Sequence, residues 1–289
     1  MTKPATAPFV ADHPRGAYSH IRVNPLTPAI GAEIEGVDLA TDLSDAAFAE
    51  IERALTENLV LFFRDQPMTP EQHLAFGRRF GELDIHPAAP SAIGYPELMI
   101  VAADEHSSRA NGEAWHTDVS CNAEPPMGSI LHIRTSPPVG GDTLFASMYA
   151  AWDALSDGMR ARLSGLSAVH DGEHVYRGLY ADQGVADRPK YPISVHPIAR
   201  VHPVTGRTAL FVNSGFTTRI VGLAQDESDA LLKYLFQHLQ HPAFQCRFRW
   251  TPDAVAFWDN RCAQHHAVWD YWPARRFGHR VTIKGDRPV

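Results

Sequence analysis

Six short runs rich in β-branched and aromatic residues recur from residue 129 onward. They are SILHIR (129–134), TLFA (143–146), TALFV (208–212), FQCRFRW (244–250), AVAFW (254–258) and HRVTI (279–283), with Gly, Pro, Asn and Asp clustered between them. Runs of this length bounded by turn formers read as strands. They do not alternate with helices in the way parallel βαβ units require. The strands must therefore pair mainly antiparallel, and that many strands closes on itself or stacks in two layers. The expectation is a mainly β protein, an antiparallel barrel or jelly roll with helices packed outside.

The N-terminal part fits around that core. HIRVNPL (20–26), the stretch from Ile30 to Val37 and LVLFF (59–63) read as further strands. Ser44 can cap a helix whose apolar face is Phe48, Ile51 and Leu55. Thr69-Pro70-Glu71-Gln72 has the form of a capping box with proline in the first turn. DESDALLKYLFQHLQ (226–240) places Leu231, Leu235 and Leu239 on one stripe, flanked by Leu232 and Phe236.

No repeat or linker divides the 289 residues, so a loose arm at 1–17 followed by a single domain at 18–289 is expected. A formal net charge of −7 gives no basic surface for nucleic acid. The N-terminus lacks an apolar leader and no stretch approaches a membrane span. Cys121, Cys246 and Cys262 are scattered and without a CxxC. That argues against a disulfide framework or a zinc knuckle and for a reducing, cytoplasmic setting.

Chemistry enters with AWHTDVS (114–120). In an extended chain His116 and Asp118 would face one spot and Thr117 the other way. Such a pair suits a divalent cation, a proton relay or a buried hydrogen bond. Three further stretches keep it company: WDNRCAQHHA (258–267), RRFGHRVTI (275–283) and the turn GGDT (140–143), which delivers Thr143 onto a strand. Arg276, Gly278 and Arg280 share one face if their segment is extended. Two histidines and one carboxylate form the facial triad of non-haem Fe(II) oxygenases, which leaves coordination positions open. An arginine then suits the remote carboxylate of a 2-oxo acid, because its planar fork matches a carboxylate.

Taken together and in this order, these motifs resemble the taurine dioxygenase family of Fe(II)/2-oxoglutarate-dependent dioxygenases, which includes aryloxyalkanoate dioxygenases and alkylsulfatases. FRDQPMTPEQ (63–72), FGELDIHP (80–87), GGDTLF and ALFVNSGFTTRIVG extend the likeness from about Ile21 to Pro288. The resemblance implies a double-stranded β-helix, the cupin-like jelly roll. It implies His116, Asp118 and His265 as iron ligands and Arg276 with Thr143 as the site for the 2-oxoglutarate carboxylate. It further implies Arg280, His86, Val119 and Phe216 around the main substrate, with Trp258 close to iron. O2 and 2-oxoglutarate would react at Fe(II), releasing CO2 and succinate as a small organic anion is hydroxylated. A homo-oligomer, dimer or tetramer, is also implied.

Two positions depart from the taurine-specific pattern. Ala89 and Gly112 stand where taurine enzymes carry a tyrosine and an asparagine, and GGDTLFASMYAAWDALS (140–156) is closer to the aryloxyalkanoate branch. The expected substrate is thus an aryloxyalkanoate, alkyl sulfate or sulfonate larger and less polar than taurine, with taurine itself as the alternative. A zinc hydrolase on the same scaffold is the alternative of another class, since two histidines and an aspartate also hold Zn²⁺. A non-catalytic jelly-roll binding protein is the third. A halogenase is disfavoured because Asp118 fills the position a halide needs.

Overall fold

The computed structural model describes residues 17–289; the expected arm at 1–17, save its last residue, lies outside them. Strands β1 (Arg22–Pro25) and β2 (Ala32–Glu35) lead into helix α1 (Asp45–Asn58), β3 (Val60–Phe63) and helix α2 (Pro70–Arg78). β4 (Tyr95–Ala103), β5 (Gly128–Thr135) and β6 (Thr143–Ser147) follow. The C-terminal strands are β7 (Gln245–Phe248), β8 (Ala254–Asp259), β9 (Ala263–Ala267) and β10 (Arg276–Ile283).

Among the described residues, β1-β2-β3-β8-β5-β10-β4 run side by side in the larger sheet, and β7-β6-β9 form a smaller one. Pairing in these sheets is antiparallel except between β2 and β3, which α1 bridges. The two sheets face each other: Phe62 of β3 stacks on Phe248 of β7 with ring centres 4.0 Å apart and meets Phe145 of β6 edge-on at 5.4 Å. This is the expected jelly roll.

LVLFF serves both faces of its sheet. Val60 and Phe62 join the core between the sheets, whereas Leu61 and Phe63 join a second cluster with Ile51, Leu55 and Leu74 of α1 and α2. A strand covered on both sides has no polar alternate position to fill. The expected caps are present as well. Ser44 accepts from the Ala47 N–H, and Thr69 and Gln72 satisfy each other's backbone donors. Leu232, Leu235 and Leu239 are the buried leucines of the helix Gln225–Leu239. No helix among the described residues is long and apolar enough to cross a membrane.

Three histidines lie where α2 docks on the outer face of the larger sheet. His73 of α2 donates to the Ile130 carbonyl at 3.1 Å and meets the His132 ring edge-on at 5.9 Å. His279 of β10 is the register partner of His132. Burial first, then the neighbouring histidines and Arg134, push His73 down to about 3 and His279 down to about 4 from 6.5. Both are neutral in the fold but gain a proton near pH 6.5 once unfolded, so the unfolded state binds more protons between those values. Stability is therefore full above pH 6.5 and falls on acidification toward pH 4 and below. The expected loss is about 2 kcal/mol per histidine by pH 5, at 1.36 kcal/mol per pH unit. Urea midpoints at pH 7 and 5 for the wild type and His73→Gln check this. An equal drop in both proteins would show that His73 is not responsible.

Candidate active site

β9 carries His265 onto the inner face of the smaller sheet, opposite Phe145. Its neighbour His266 points to the other side and stacks on Trp115, ring centres 5.6 Å apart. The backbone of His265 pairs with that of His116 through N–H···O bonds of 2.8 and 3.0 Å. His116 thus joins the sheet as a single bridge, not as part of a strand. The chain then turns through Asp118 to Val119, whose φ of 48° is unusual for a β-branched residue. The stretch is a bridge and a turn and not an extended strand, yet Thr117 bonds to Asn260 while His116 faces the same spot as Asp118, as expected. Asp118 Oδ1 lies 3.7 Å from His116 Nε2 and 3.9 Å from His265 Nε2.

The local hydrogen bonds prepare these atoms to act as donors to a cation. His116 Nδ1 is 2.7 Å from the Ala114 carbonyl, which can only accept. Nδ1 therefore carries the proton, and the Nε2 lone pair faces the carboxylate. Burial pushes both imidazoles below their ordinary range, so they are neutral. Burial alone would raise the Asp118 carboxyl, but Arg280, His265, His116 and the Ser129 hydroxyl outweigh it and hold it well below the carboxylate range. Two donor atoms bound at about 2.1 Å to one ion lie no more than about 4.2 Å apart. The two separations from Asp118 fit a shared divalent ion.

β10 supplies the cationic residues. Arg134 is the extra residue where β5 slips against it, so Gly278 faces Ile133 and Arg280 faces Leu131. A Cβ at Gly278 would come within 2.3 Å of the His132 carbonyl oxygen, which is why glycine sits at this close approach. Arg276, Gly278 and Arg280 keep one face. Arg276 is 6% exposed and, among the described residues, pairs with no carboxylate and leaves Nε without a partner. Its guanidinium lies 5.3 Å from the Trp250 ring centre. Burial pushes it down from its ordinary range, opposed by Tyr271. Trp250 Nε1 donates to Thr143 Oγ1 at 2.9 Å, so the threonine hydroxyl keeps its own hydrogen for another acceptor. Arg280 Nη1 donates to Asp118 Oδ1, while its Nε and Nη2 are buried without partners.

His116, Asp118, His265, Thr143, Arg276 and Arg280 open on one cavity of about 280 Å³, also lined by His86, Phe216 and Trp258. The Trp258 ring centre is 4.6 Å from that of His265. The Ala88 and Ala89 N–H groups donate to His86 Nδ1 at 3.1 and 2.9 Å. Its remaining proton is thus on Nε2, available as a donor. Burial pushes His86 down to about 3, so it stays neutral. Val119 does not line the cavity; it packs behind the wall with Met99, Tyr176 and Phe216.

Tyr176 and Tyr180, buried beside His86, line the same end of the cavity and were not anticipated. Their four-residue spacing in HVYRGLY is the signal available, and it reads equally as ordinary packing. The two departures noted in the sequence also acquire a physical meaning. Gly112 has φ +89°, and a Cβ there would approach His116 Cε1 at 3.1 Å. It makes room for the imidazole as much as for a substrate. Ala89 lies outside the cavity lining and contributes its backbone N–H to His86.

Residues 22–282 match the family described as Taurine catabolism dioxygenase TauD, TfdA family. An alpha-ketoglutarate-dependent sulfonate dioxygenase of Saccharomyces cerevisiae is 36% identical, over 93% of this chain and 68% of its own length. An alpha-ketoglutarate-dependent sulfate ester dioxygenase of Pseudomonas putida is also 36% identical, over 99% of this chain and 94% of its own. The crystal structure of a taurine dioxygenase from Burkholderia xenovorans superposes with a TM-score of 0.82 at 39% identity, covering 94% of this chain and 91% of that one. By family match, sequence identity and fold, the chain belongs to the TauD/TfdA family of dioxygenases.

Proposed function

We propose that this protein is an Fe(II)- and 2-oxoglutarate-dependent dioxygenase that hydroxylates a small organic anion, carried by a single domain at 18–289. His116, Asp118 and His265 would hold the iron, and Arg276 with Thr143 the remote carboxylate of 2-oxoglutarate. An Fe(II) ion held there would supply the reaction of O2 with 2-oxoglutarate that yields succinate, CO2 and the hydroxylated substrate. The observation that carries this reading is Arg276, a buried cation without a carboxylate partner among the described residues, facing the same cavity as the triad. A buried charge left unpaired is costly, and a dicarboxylate cosubstrate relieves it. A zinc hydrolase requires no dicarboxylate cosubstrate beside its metal.

The chain's own groups divide the remaining work. Arg280 pins Asp118 with Nη1 and presents Nε and Nη2 to an anion, with the His86 Nε2 hydrogen beside it. Tyr176, Tyr180 and Phe216 form the apolar part of the wall, which excludes water and suits an organic tail. An aryloxyalkanoate, alkyl sulfate or sulfonate meets both requirements. Taurine remains in the comparison because Gly112 is explained by the packing of His116. Three buried free cysteines support a reducing, cytoplasmic setting, and the family resemblance supports a homo-oligomer.

A panel of sulfonates, alkyl sulfates and aryloxy acids, taurine included, scored for succinate formation with Fe(II), tests the reading. At least one anion should drive succinate formation well above the substrate-free rate. Arg280→Ala should raise KM for that anion while slow substrate-free turnover of 2-oxoglutarate persists. An unchanged substrate KM in Arg280→Ala would remove the anion from that arginine.

A further inference from the structure

We propose that Asn260 and Ser129 form a positioning relay that confines Asp118 to binding a metal ion through a single oxygen. The inference rests on the reading of Asp118 as a metal ligand and adds to it the residues that decide how that ligand binds. Asn260 is 1% exposed, and its side chain has one geometry that satisfies its neighbours. Its Oδ1 accepts from Trp258 Nε1 at 2.9 Å and from the Asp118 N–H at 3.2 Å. Both neighbours can only donate, so the amide oxygen must face them and the amide NH2 must face the other way. There Nδ2 donates to Ser129 Oγ at 3.0 Å.

That contact determines what the serine does. Its oxygen receives Asn260, and its one hydrogen goes to Asp118 Oδ2 at 2.7 Å. Strand register holds the serine in place, because Ser129 is paired with Trp258 on one side and Thr282 on the other. Thr117 secures the turn from the opposite direction, donating to the Asn260 carbonyl at 2.7 Å. Oδ2 is thereby capped, and Oδ1, which also accepts from Arg280 Nη1, is the oxygen 3.7 and 3.9 Å from the two imidazole Nε2 atoms.

The consequence is the number of open positions. Three protein donors on a six-coordinate ion leave three sites, enough for a chelating 2-oxo acid and one further ligand. A carboxylate free to chelate through both oxygens would take one of them. Hydrogen bonds to a ligating carboxylate typically change metal affinity or activity 10–100-fold when removed.

The test uses the Mn(II)-loaded full chain and N-oxalylglycine, a non-reacting analogue of 2-oxoglutarate, in a calorimetric titration. Ser129→Ala and Asn260→Ala should each weaken N-oxalylglycine binding by about tenfold or more, and Ser129→Thr, which keeps the hydroxyl, should restore it. Melting curves run alongside separate positioning from packing. A lower melting temperature with wild-type N-oxalylglycine affinity in both alanine variants would overturn the relay. Asp118→Ala and His116→Ala test the underlying reading separately. If they bound Mn(II) like the wild type, the ligand assignment itself would fail. If they lost Mn(II) while Ser129→Ala and Asn260→Ala bound both ligands normally, only the relay would be wrong.

Discussion

Replacing His265 with alanine is expected to abolish stoichiometric Fe(II) binding and all turnover, whereas His266→Ala keeps both. The two residues are adjacent, equally basic in free solution and carried by the same strand. What separates them is the two-residue period of β9. His265 faces Asp118 Oδ1 across 3.9 Å, and His266 lies on Trp115 instead. Loss of one of three donors should exceed the 10–100-fold effect typical of an outer partner. Loss of the stacked ring should instead lower stability by about 1 kcal/mol. Metal content after dialysis, set beside the melting temperature of each variant, checks both parts. Equal metal loss in the two variants would remove the assignment.

Arg276→Ala should raise the KM for 2-oxoglutarate by about 30-fold to 4,000-fold. The range follows from roughly 2–5 kcal/mol for a buried charge-assisted contact, at tenfold per 1.4 kcal/mol. Arg276→Lys should recover part of the loss, because it keeps the charge and loses the fork. The same substitution should act in the opposite sense on the ligand-free protein. Arg276 is buried over Trp250 with Nε unpartnered and no carboxylate paired to it among the described residues, so removing it relieves a poorly compensated charge. The alanine variant should therefore melt no lower than wild type without 2-oxoglutarate, and should gain little when it is added. Steady-state kinetics with 2-oxoglutarate varied, alongside melting with and without it, give both readings. A KM within threefold of wild type would place the cosubstrate elsewhere.

The sequence made the strands legible where both faces are buried or where alternation is strict. AVAFW and HRVTI lie within strands the structure contains, and LVLFF does so from Val60 onward, because short β-branched and aromatic runs bounded by turn formers favour strands. Less visible was Tyr95–Ala103, whose YPELMIVAA carries a proline at its second position and a glutamate at its third. Its place beside β10 is decided by tertiary pairing. The sheet formed by Ser167–Asp171, Ile193–Pro197 and Thr217–Ile220 depends on equally distant partners.

Site residues followed the same division. His265 and the two arginines sit on regular strands, so periodicity places their side chains. Asp118 sits on a turn ending in a positive φ, which no period predicts. Asn260 and Ser129 each look ordinary in the sequence. Their roles appear only where a donor-only indole and a donor-only backbone N–H force the amide to face one way.

The fate of molecular oxygen tests the central claim most directly. With ¹⁸O2, Fe(II), 2-oxoglutarate and an anion from the panel that drives turnover, mass spectrometry should find one labelled atom in succinate. The second should enter the hydroxylated substrate, or the fragment that retains the oxidised carbon. Turnover of the anion without O2, with the new oxygen coming from labelled water and no succinate formed, would contradict the account and make the site hydrolytic.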